Sequence, residues 1–570
     1  MAKEENMKKT LFRLVPLSLA IWALSLLLTA CGHEHAYGAW STEKEATCTE
    51  DGLNVRVCEC GEKETEKIPA KGHVDSEWLV DAEASCTEEG NKHQVCLACE
   101  SLIKTESIPA MGHSEGEWIT DLEATCTENG SKHQVCSVCA NSIKTERIPA
   151  KGHIEGAWIT DVEANYIDDG IKHQICSVCS ETLKTESIPA KEHVGGDLYK
   201  DFYIDPATIS ITANGKTKNL IYIYLESMET SFTTKENGGL QESVNYIPNL
   251  TQLAKDNLFF SNNAAGQLGG FYTFGGVTSW TMGALFALTS GLPFNFPVGA
   301  NDMGEQEYFA PDVTNLGDIL EDFGYNSVFL CGSDAKIGGR EKYFTQHGNY
   351  LIYDLYTARR NGDLPTDKYY KFWGFEDKFL FAIAKKEITR LAAEDEPFNM
   401  TFLTVDTHFP NGYMCSECGT DSEESMQNVL PCADHQVMEF INWCKEQDFY
   451  EDTVIIISGD HPFMGKDLTL IEGTVANDRT IYNCFINSAV EASEEVTTNR
   501  LFTSMDMFPT TLAALGFNIK GDRLGMGVNL FSEKKTIMEH IGYETFATEV
   551  VKKSDYYNEF TGFNRVNGIS

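Results

Sequence analysis

The chain has 570 residues, which is more than one hydrophobic core normally serves, so it has room for a large enzyme domain and further modules. Its 45 basic and 85 acidic residues leave a formal net charge of −40, which excludes nucleic acid as a partner and would repel an anionic membrane surface. The 18 cysteines are many for a cytosolic enzyme and lie mostly before residue 180, which indicates a separate cysteine-bearing module.

Residues 1–30 have the pattern of an export signal. A basic start and an apolar run end in Leu28-Thr29-Ala30-Cys31. This tetrapeptide resembles a lipobox, in which Cys31 becomes the lipid-modified first residue of the mature protein. An uncleaved membrane anchor is the alternative. Both predict an extracellular protein tethered to the outer face of the cytoplasmic membrane.

Residues 31–193 contain four repeats of about 40 residues. Each has a His shortly before a Trp, then a turn of the TCTEDG type, then a pair of cysteines. The turn contains Cys48, Cys86 and Cys126 in the first three repeats, whereas Tyr166 replaces the Cys in the fourth. Short polar–apolar alternations predict small β-hairpins. The repeats resemble cysteine-containing modules of Gram-positive surface proteins, so we expect a stalk, with cell-wall binding as one role.

The cysteines of the repeats allow more than one interpretation. The second repeat offers Cys86, Cys96 and Cys99 with the nearby His93, a suitable ligand set for a structural zinc ion. Disulfides are the alternative, and they are typical of small exported modules with thin cores. Free thiols are a third, and the sequence leaves all three open.

An enzyme domain is predicted at 219–545, after a linker at 194–218 and before a polar tail at 546–570. Apolar strands alternate with helical stretches, which predicts an α/β fold with a mainly parallel sheet flanked by helices and preceded by the β-rich repeats. The predicted strands are 219–225, 326–331, 399–405 and 453–458, and the predicted helices include 376–393, 436–446 and 503–515.

Thr281 occupies a distinctive place in this domain. A glycine-rich run precedes it, and small apolar residues with good helix propensity follow it up to Gly291 and Pro293. We therefore expect a loop that delivers Thr281 to the first turn of a buried helix. Free backbone N–H groups at that place bind phosphate oxygens, which suits an activated hydroxyl. A core helix with a capping Thr is the alternative.

Two of the apolar strands run into residues that bind metals. One is followed by Glu226, and the other by Asp460 and His461. Because the carboxyl ends of parallel strands open into one crevice, we expect these residues and Thr281 to form a one-metal site with three oxygen ligands and one nitrogen ligand. This donor set suits Mn²⁺ first, with Mg²⁺ or Zn²⁺ as alternatives.

Six ordered motifs from about 219 to about 532 give the chain a family resemblance. They are LESMETSF, WTMGALFALTSGLPF, a segment at 324–348, TVDTHFP, IIISGDHP and MDMFPTTLAALG. Together they resemble the alkaline phosphatase superfamily, and within it the branch of lipoteichoic acid synthases and periplasmic phosphoglycerol transferases. Lipoteichoic acid synthases carry several membrane spans before the enzyme domain, and this sequence departs from that pattern.

The resemblance implies an alkaline-phosphatase-like sandwich and assigns roles to individual residues. Thr281 is implied to be both nucleophile and metal ligand, His408 to bind substrate, and Arg340 to lie near a phosphate-binding position. The implied reaction moves a glycerophosphate group from phosphatidylglycerol, through a phospho-threonine intermediate, to a hydroxyl on a glycan or teichoic-acid-like polymer.

Other functions stay open at this stage. Phosphoethanolamine transfer and phosphodiesterase- or sulfatase-type hydrolysis are alternatives within the superfamily. A formylglycine sulfatase needs Cys or Ser followed by x-Pro-x-Arg, and the residues after Thr281 lack that pattern. A wall-binding scaffold with an inactive enzyme domain is the alternative from another class. Cys415, Cys418 and Cys432, in a polar insertion, could hold zinc, form a disulfide, or merely order the loop, as we expect.

Overall fold

A computed structural model describes residues 35–213, 215, 217–423, 425–465 and 479–567. They form two compact units. The first contains the first three repeats, and the second contains most of the fourth repeat and the rest of the chain. The predicted signal and Cys31 lie outside the described residues. None of the helices in the described ranges is long and apolar enough to cross a membrane.

Each repeat is an antiparallel sheet of three short strands, as the polar–apolar alternation predicts. In the second repeat the middle strand begins at Gly90, where a Cβ atom would come within 2.3 Å of the Ala82 carbonyl oxygen. The strands are Ser41–Lys44, Gly52–Val57, Lys63–Ile68, Leu79–Ala82, Gly90–Val95, Leu102–Ile108, Glu115–Leu122, Gly130–Cys136, Ser142–Ile148, Glu155–Val162, Gly170–Cys176 and Thr182–Ile188.

A six-stranded sheet forms the centre of the second unit. Its strands lie in the order Leu351–Tyr353, Asn326–Cys331, Phe398–Leu403, Asn219–Leu225, Thr453–Gly459 and Asn483–Ile486. All neighbouring pairs are parallel except the last. Two small antiparallel pairs join Ile211–Ala213 to Phe517–Ile519, and Arg523–Leu524 to Gly527–Val528.

Helices cover both faces of this sheet. Residues of the central strand alternate between the two cores: Tyr222 and Tyr224 pack on one side, and Ile221 and Ile223 on the other. The helices are Leu198–Phe202, Pro248–Asp256, Thr281–Ser290, Leu316–Asp322, Arg340–Gln346, Leu355–Asn361, Asp377–Leu391, Ser425–Lys445, Glu494–Thr497, Met507–Ala514, Ile537–Ile541, Tyr543–Glu549, Asp555–Phe560 and Phe563–Asn567. This confirms the predicted fold class.

The helix Ser425–Lys445 begins earlier than the sequence predicts. The prediction placed its start at Gln436. A proline inside a helix removes a backbone hydrogen bond, which disfavours a helix that continues through Pro431. In the structure Pro431 lies within the helix, whose Val429, Leu430 and Val437 are buried in the core on one face of the sheet. Packing therefore outweighs the local preference of the chain.

Segments outside the predicted limits of the enzyme domain also join its core. The helix Leu198–Phe202 lies in the predicted linker, and Asp555–Phe560 lies in the predicted tail. The rings of Tyr199 and Tyr557 are fully buried, with centroids 4.9 Å apart. The Tyr199 hydroxyl donates to the Val550 carbonyl oxygen at 2.6 Å. These contacts extend the compact domain at both ends.

Candidate active site

The carboxyl ends of two neighbouring strands place three of the predicted residues side by side. In the parallel pairing, Leu225 lies opposite Gly459. Glu226 follows the first strand, and Asp460 and His461 follow the second. The Asp460 N–H donates to the Leu225 carbonyl oxygen at 3.2 Å, so pairing continues to the edge of the site.

Thr281 is the first residue of the helix Thr281–Ser290, which ends at Gly291 in the left-handed conformation (φ 68°). The helix has no side-chain cap. The Thr281 hydroxyl instead lies 3.4 Å from Glu226 Oε2 and 3.3 Å from His461 Nε2. This position differs from that of a capping Thr and places the hydroxyl among charged groups.

The imidazole and the two carboxylates form a tight buried cluster. His461 Nε2 lies 3.4 Å from Glu226 Oε1 and 3.5 Å from Asp460 Oδ2. His461 Nδ1 lies 2.9 Å from the Pro462 carbonyl oxygen, a bond that places the ring proton on Nδ1. Nε2 then presents a lone pair to the cluster, as a metal-ligating His does.

The Asp460 carboxylate is the part of the cluster that is least satisfied without a cation. Its Oδ1 accepts from the backbone N–H groups of Ser227 and His461, at 2.8 and 2.7 Å. Its buried Oδ2 has no hydrogen-bond partner among the described atoms. Burial and the negative charge of Glu226 raise the pKa of Asp460 to about 7. A bound divalent ion would satisfy the oxygen and offset the repulsion, so the donor set fits a metal.

Burial of the His461 imidazole lowers its pKa, but the carboxylates of Asp460 and Glu226 outweigh burial, and the net shift is upward. In the absence of an ion, protons therefore partly balance the charge of this cluster. Metal ions and protons compete for the same groups, because each ligand must be deprotonated to bind.

A cavity of about 280 Å³ opens above Glu226 and Thr281, and Arg340 and His408 also line it. Arg340 begins a helix after Gly338 and Gly339, both in the left-handed region. Its guanidinium donates to Ser333 Oγ and to two backbone carbonyl oxygens at 2.9–3.0 Å. These acceptors are neutral, so the Arg340 charge remains available to an anion in the cavity.

Several supporting residues escaped the sequence analysis. Thr404 Oγ1 accepts from the Glu226 N–H at 2.9 Å, and the Ser227 hydroxyl donates to Glu226 Oε1 at 2.7 Å. Asp377 accepts from the N–H groups of Val405 and Asp406 at 2.8 and 3.0 Å, which holds the loop that leads to His408. An Asp at the start of a predicted helix was the one available signal for Asp377.

Asp406 makes stability depend on pH. Burial and the neighbouring Asp377 raise the pKa of Asp406 to about 10. The unfolded carboxyl has a pKa of about 3.9, so the folded state binds this proton more tightly. The contribution of the Asp406 proton to the free energy of unfolding is therefore complete below about pH 4 and is lost as the pH rises toward 10.

We expect Asp406→Asn, which cannot ionise, to gain unfolding free energy relative to the wild type between about pH 6 and pH 9. Urea unfolding at several pH values measures this difference. The exposed Asp448→Asn is the matched control and should give a difference that does not change with pH. A flat difference for Asp406→Asn would show that Asp406 is ionised in the folded protein.

The thiols of Cys415, Cys418 and Cys432 also lie close together. The Sγ atom of Cys415 is 3.8 Å from the Sγ atoms of both other residues. They close the insertion onto the helix Ser425–Lys445. Their close approach keeps both a metal and a disulfide as alternatives for this loop.

Comparison with known proteins shows the family to which the chain belongs. The sulfatase family matches residues 218–517, which include every residue of the cluster and both Arg340 and His408. The chain belongs to the sulfatase family. This sulfatase-family domain is an enzyme domain of the alkaline phosphatase superfamily, whose members are metal-dependent, as the sequence motifs predict.

Curated relatives of this sulfatase-family chain are named phosphoglycerol transferase I. The protein of Xanthomonas campestris pv. campestris (strain B100) is 30% identical over 262 residues, which cover 45% of this chain and 35% of that protein. The protein of Salmonella choleraesuis (strain SC-B67) is 29% identical over 339 residues, covering 58% of this chain and 41% of that protein. The chain thus spans 35–41% of the length of these two relatives. Their similarity confirms the predicted branch of the superfamily.

Among solved structures, a lipoteichoic acid synthase from Listeria monocytogenes is 18% identical and superposes with a TM-score of 0.44. The match covers 57% of this chain and 79% of that chain.

Proposed function

We propose that the chain is a transferase that moves a glycerophosphate group from phosphatidylglycerol to a hydroxyl of a glycan or teichoic-acid-like polymer. The observation that carries this proposal is the Thr281 hydroxyl, at a helix N-terminus and within 3.4 Å of both Glu226 and His461. The names of the curated relatives support the glycerophosphate group as the one transferred.

Glu226, Asp460, His461 and the Thr281 hydroxyl would hold one divalent ion, with Mn²⁺ as the first choice and Mg²⁺ or Zn²⁺ as alternatives. A bound ion lowers the pKa of a neighbouring hydroxyl and neutralises charge on a phosphate. The residues around it fix the geometry: Ser227 and Thr404 orient Glu226, and Nδ1 of His461 is held by a backbone carbonyl.

In the first half-reaction, Thr281 Oγ1 attacks the phosphorus of phosphatidylglycerol. A bond forms between Oγ1 and phosphorus, the bond from phosphorus to the diacylglycerol oxygen breaks, and the threonine proton ends on diacylglycerol. In the second, the acceptor hydroxyl oxygen forms a bond to the same phosphorus, the bond from phosphorus to Oγ1 breaks, and the acceptor proton ends on Oγ1, which restores the threonine hydroxyl. Arg340, His408 and the first N–H groups of the Thr281 helix would bind the phosphate and glycerol oxygens.

The mouth of the cavity suits a lipid donor. It is lined by Ile337, Trp373, Phe409 and Met464, which remain 37–44% exposed. Partly exposed apolar side chains grouped around one cavity are unusual on a free surface and can contact acyl chains. The net charge of −40 would repel an anionic membrane surface. Apolar contacts to the lipid do not depend on charge and are therefore available to this protein.

We expect Met464→Ser to lower the rate on vesicle-bound phosphatidylglycerol by about tenfold, because it removes one apolar contact to the lipid. The rate on a water-soluble glycerophosphodiester should stay unchanged. Leu351→Ser is the matched control, because Leu351 is 54% exposed and lies outside the cavity. Equal losses on both donors would contradict a lipid-binding role of this rim.

Because the apolar N-terminal run ends in Cys31, we place the enzyme at the outer face of the cytoplasmic membrane, held by a lipid anchor, with the repeats as a stalk that contacts the cell wall.

Incubation with labelled phosphatidylglycerol tests the proposed reaction. We expect release of diacylglycerol and transfer of glycerophosphate to an added glycan. Release of free glycerophosphate alone would indicate a hydrolase, and activity on phosphatidylethanolamine alone would indicate the phosphoethanolamine alternative.

A further inference from the structure

Two clusters of three cysteines and one histidine lie at junctions between consecutive repeats of the first unit. In each cluster the four ligand atoms lie within 4.8 Å of one another. The turn cysteine comes from one repeat, and the histidine and the cysteine pair come from the next. The clusters are Cys48, His73, Cys96 and Cys99, and Cys86, His113, Cys136 and Cys139.

The distances within these clusters match a tetrahedral ion. The Sγ atoms of Cys48 and Cys96 are 3.7 Å apart, and those of Cys86 and Cys136 are 3.8 Å apart. A zinc–sulfur bond of about 2.3 Å places two sulfurs of one tetrahedron about 3.8 Å apart. In the second cluster His113 Nδ1 lies 3.4 Å from the Cys139 sulfur, so nitrogen and sulfur also converge on one centre.

A disulfide accounts for these clusters less well than a metal. It would join two of three thiols and leave the third, together with the imidazole, unused in the same cluster. The backbone N–H of Ala98 also points at Cys96 Sγ, and that of Val138 at Cys136 Sγ, both at 3.4 Å. Such donors stabilise the thiolate, the form that binds metal.

The repeats also need a link of this kind. Among the described residues of the repeats, the buried apolar side chains are almost all small. They are Ala46, Val55, Cys58, Ala84, Cys86, Cys96, Ala124, Cys126, Cys136, Ala164 and Cys176. Cores of this size do not stabilise a module alone, and small domains commonly add a metal.

The fourth repeat lacks the turn cysteine, and the structure gives a reason for its absence. Its turn carries Tyr166, and no further repeat follows to supply a cysteine pair. The Tyr166 ring packs on Phe202 of the enzyme core, with centroids 5.5 Å apart. His193, the next histidine in the repeat frame, lies 2.9 Å from Asp201. The turn cysteine is thus kept before another repeat and replaced where packing on the enzyme domain takes over.

We propose that each of the two clusters binds one Zn²⁺ and that the ion fastens one repeat to the next. Three thiols release their protons to solvent, and with a neutral imidazole each site carries a net charge of −1. This corrects the ligand set inferred from the sequence, because Cys86 and Cys96 belong to different clusters. His93 is not a ligand, since it pairs with Asp81 instead.

Zinc content of the full chain, purified under reducing conditions, tests the proposal. We expect Cys86→Ser and His113→Ala each to lose one zinc ion per chain. His133→Ala is the matched control: His133 lies in the same repeat but pairs with Asp121 at 2.6 Å, so this variant should keep all its zinc. Counting differences removes any contribution from an ion in the enzyme domain.

A second readout covers variants that fold poorly. A zinc chelator should make the wild-type chain several-fold more sensitive to protease between the repeats, and added zinc should reverse the effect. Unchanged zinc content in Cys86→Ser, or a Cys86–Cys136 disulfide in unreduced exported protein, would overturn the proposal.

Discussion

Replacing Thr281 with Ala should lower turnover of phosphatidylglycerol by on the order of 10⁴-fold or more, which is what loss of a nucleophile costs in comparable enzymes. The change removes one half-buried hydroxyl and leaves a better helix former at the start of the helix, so the fold should survive. Steady-state release of labelled diacylglycerol measures the loss, and circular dichroism reports on the fold.

Two variants of the same helix serve as controls for Thr281→Ala. Thr281→Ser keeps a hydroxyl and should retain measurable turnover. Thr289→Ala removes a buried hydroxyl that lies 2.6 Å from the Leu285 carbonyl oxygen and 2.7 Å from the Tyr343 hydroxyl, so it should lower stability and spare the reaction. Near wild-type turnover in Thr281→Ala would refute the proposed mechanism.

Asp460→Asn should lose the metal and the activity together. The Asp460 Oδ2 atom is buried without a hydrogen-bond partner in the described residues, and an amide in its place brings no negative charge to a cation. We expect metal affinity to fall by at least about 100-fold, as measured by calorimetric titration with Mn²⁺, and turnover to fall in proportion.

Asp506→Asn is the control for Asp460→Asn. Asp506 is also buried, but its oxygens already accept from the N–H groups of Val528 and Thr503 at 2.9 and 2.8 Å. The change should lower the melting temperature and leave metal affinity unaltered. If Asp460→Asn kept its metal while Asp506→Asn lost it, the ligand assignment would have to be abandoned.

Much of the second unit could be predicted because its strands are long apolar runs that end in polar residues. The strand Asn219–Leu225 agrees with its prediction residue by residue, and Phe398–Leu403 ends two residues early. The convergence of Glu226, Asp460 and His461 follows from one rule, that parallel strands present their carboxyl ends at one edge of the sheet.

Contacts between distant segments could not be predicted in the same way. The segments around Tyr199 and Tyr557 are short and mix charged with apolar residues, so nothing in their local pattern indicates that the two rings meet in the core. The cysteine clusters were misassigned for a related reason. Spacing along the chain favoured ligands within one repeat, whereas the structure joins Cys48 to Cys96 across two repeats.

The covalent state of Thr281 tests the central claim most directly. The enzyme is mixed with phosphatidylglycerol, quenched in acid within one turnover, digested, and analysed by mass spectrometry. We expect the peptide that contains Thr281 to gain the mass of one glycerophosphoryl group, and the gain to disappear when acceptor is added before the quench. A glycerophosphoryl group on any other residue, or turnover with no modified peptide under any quench time, would contradict the mechanism.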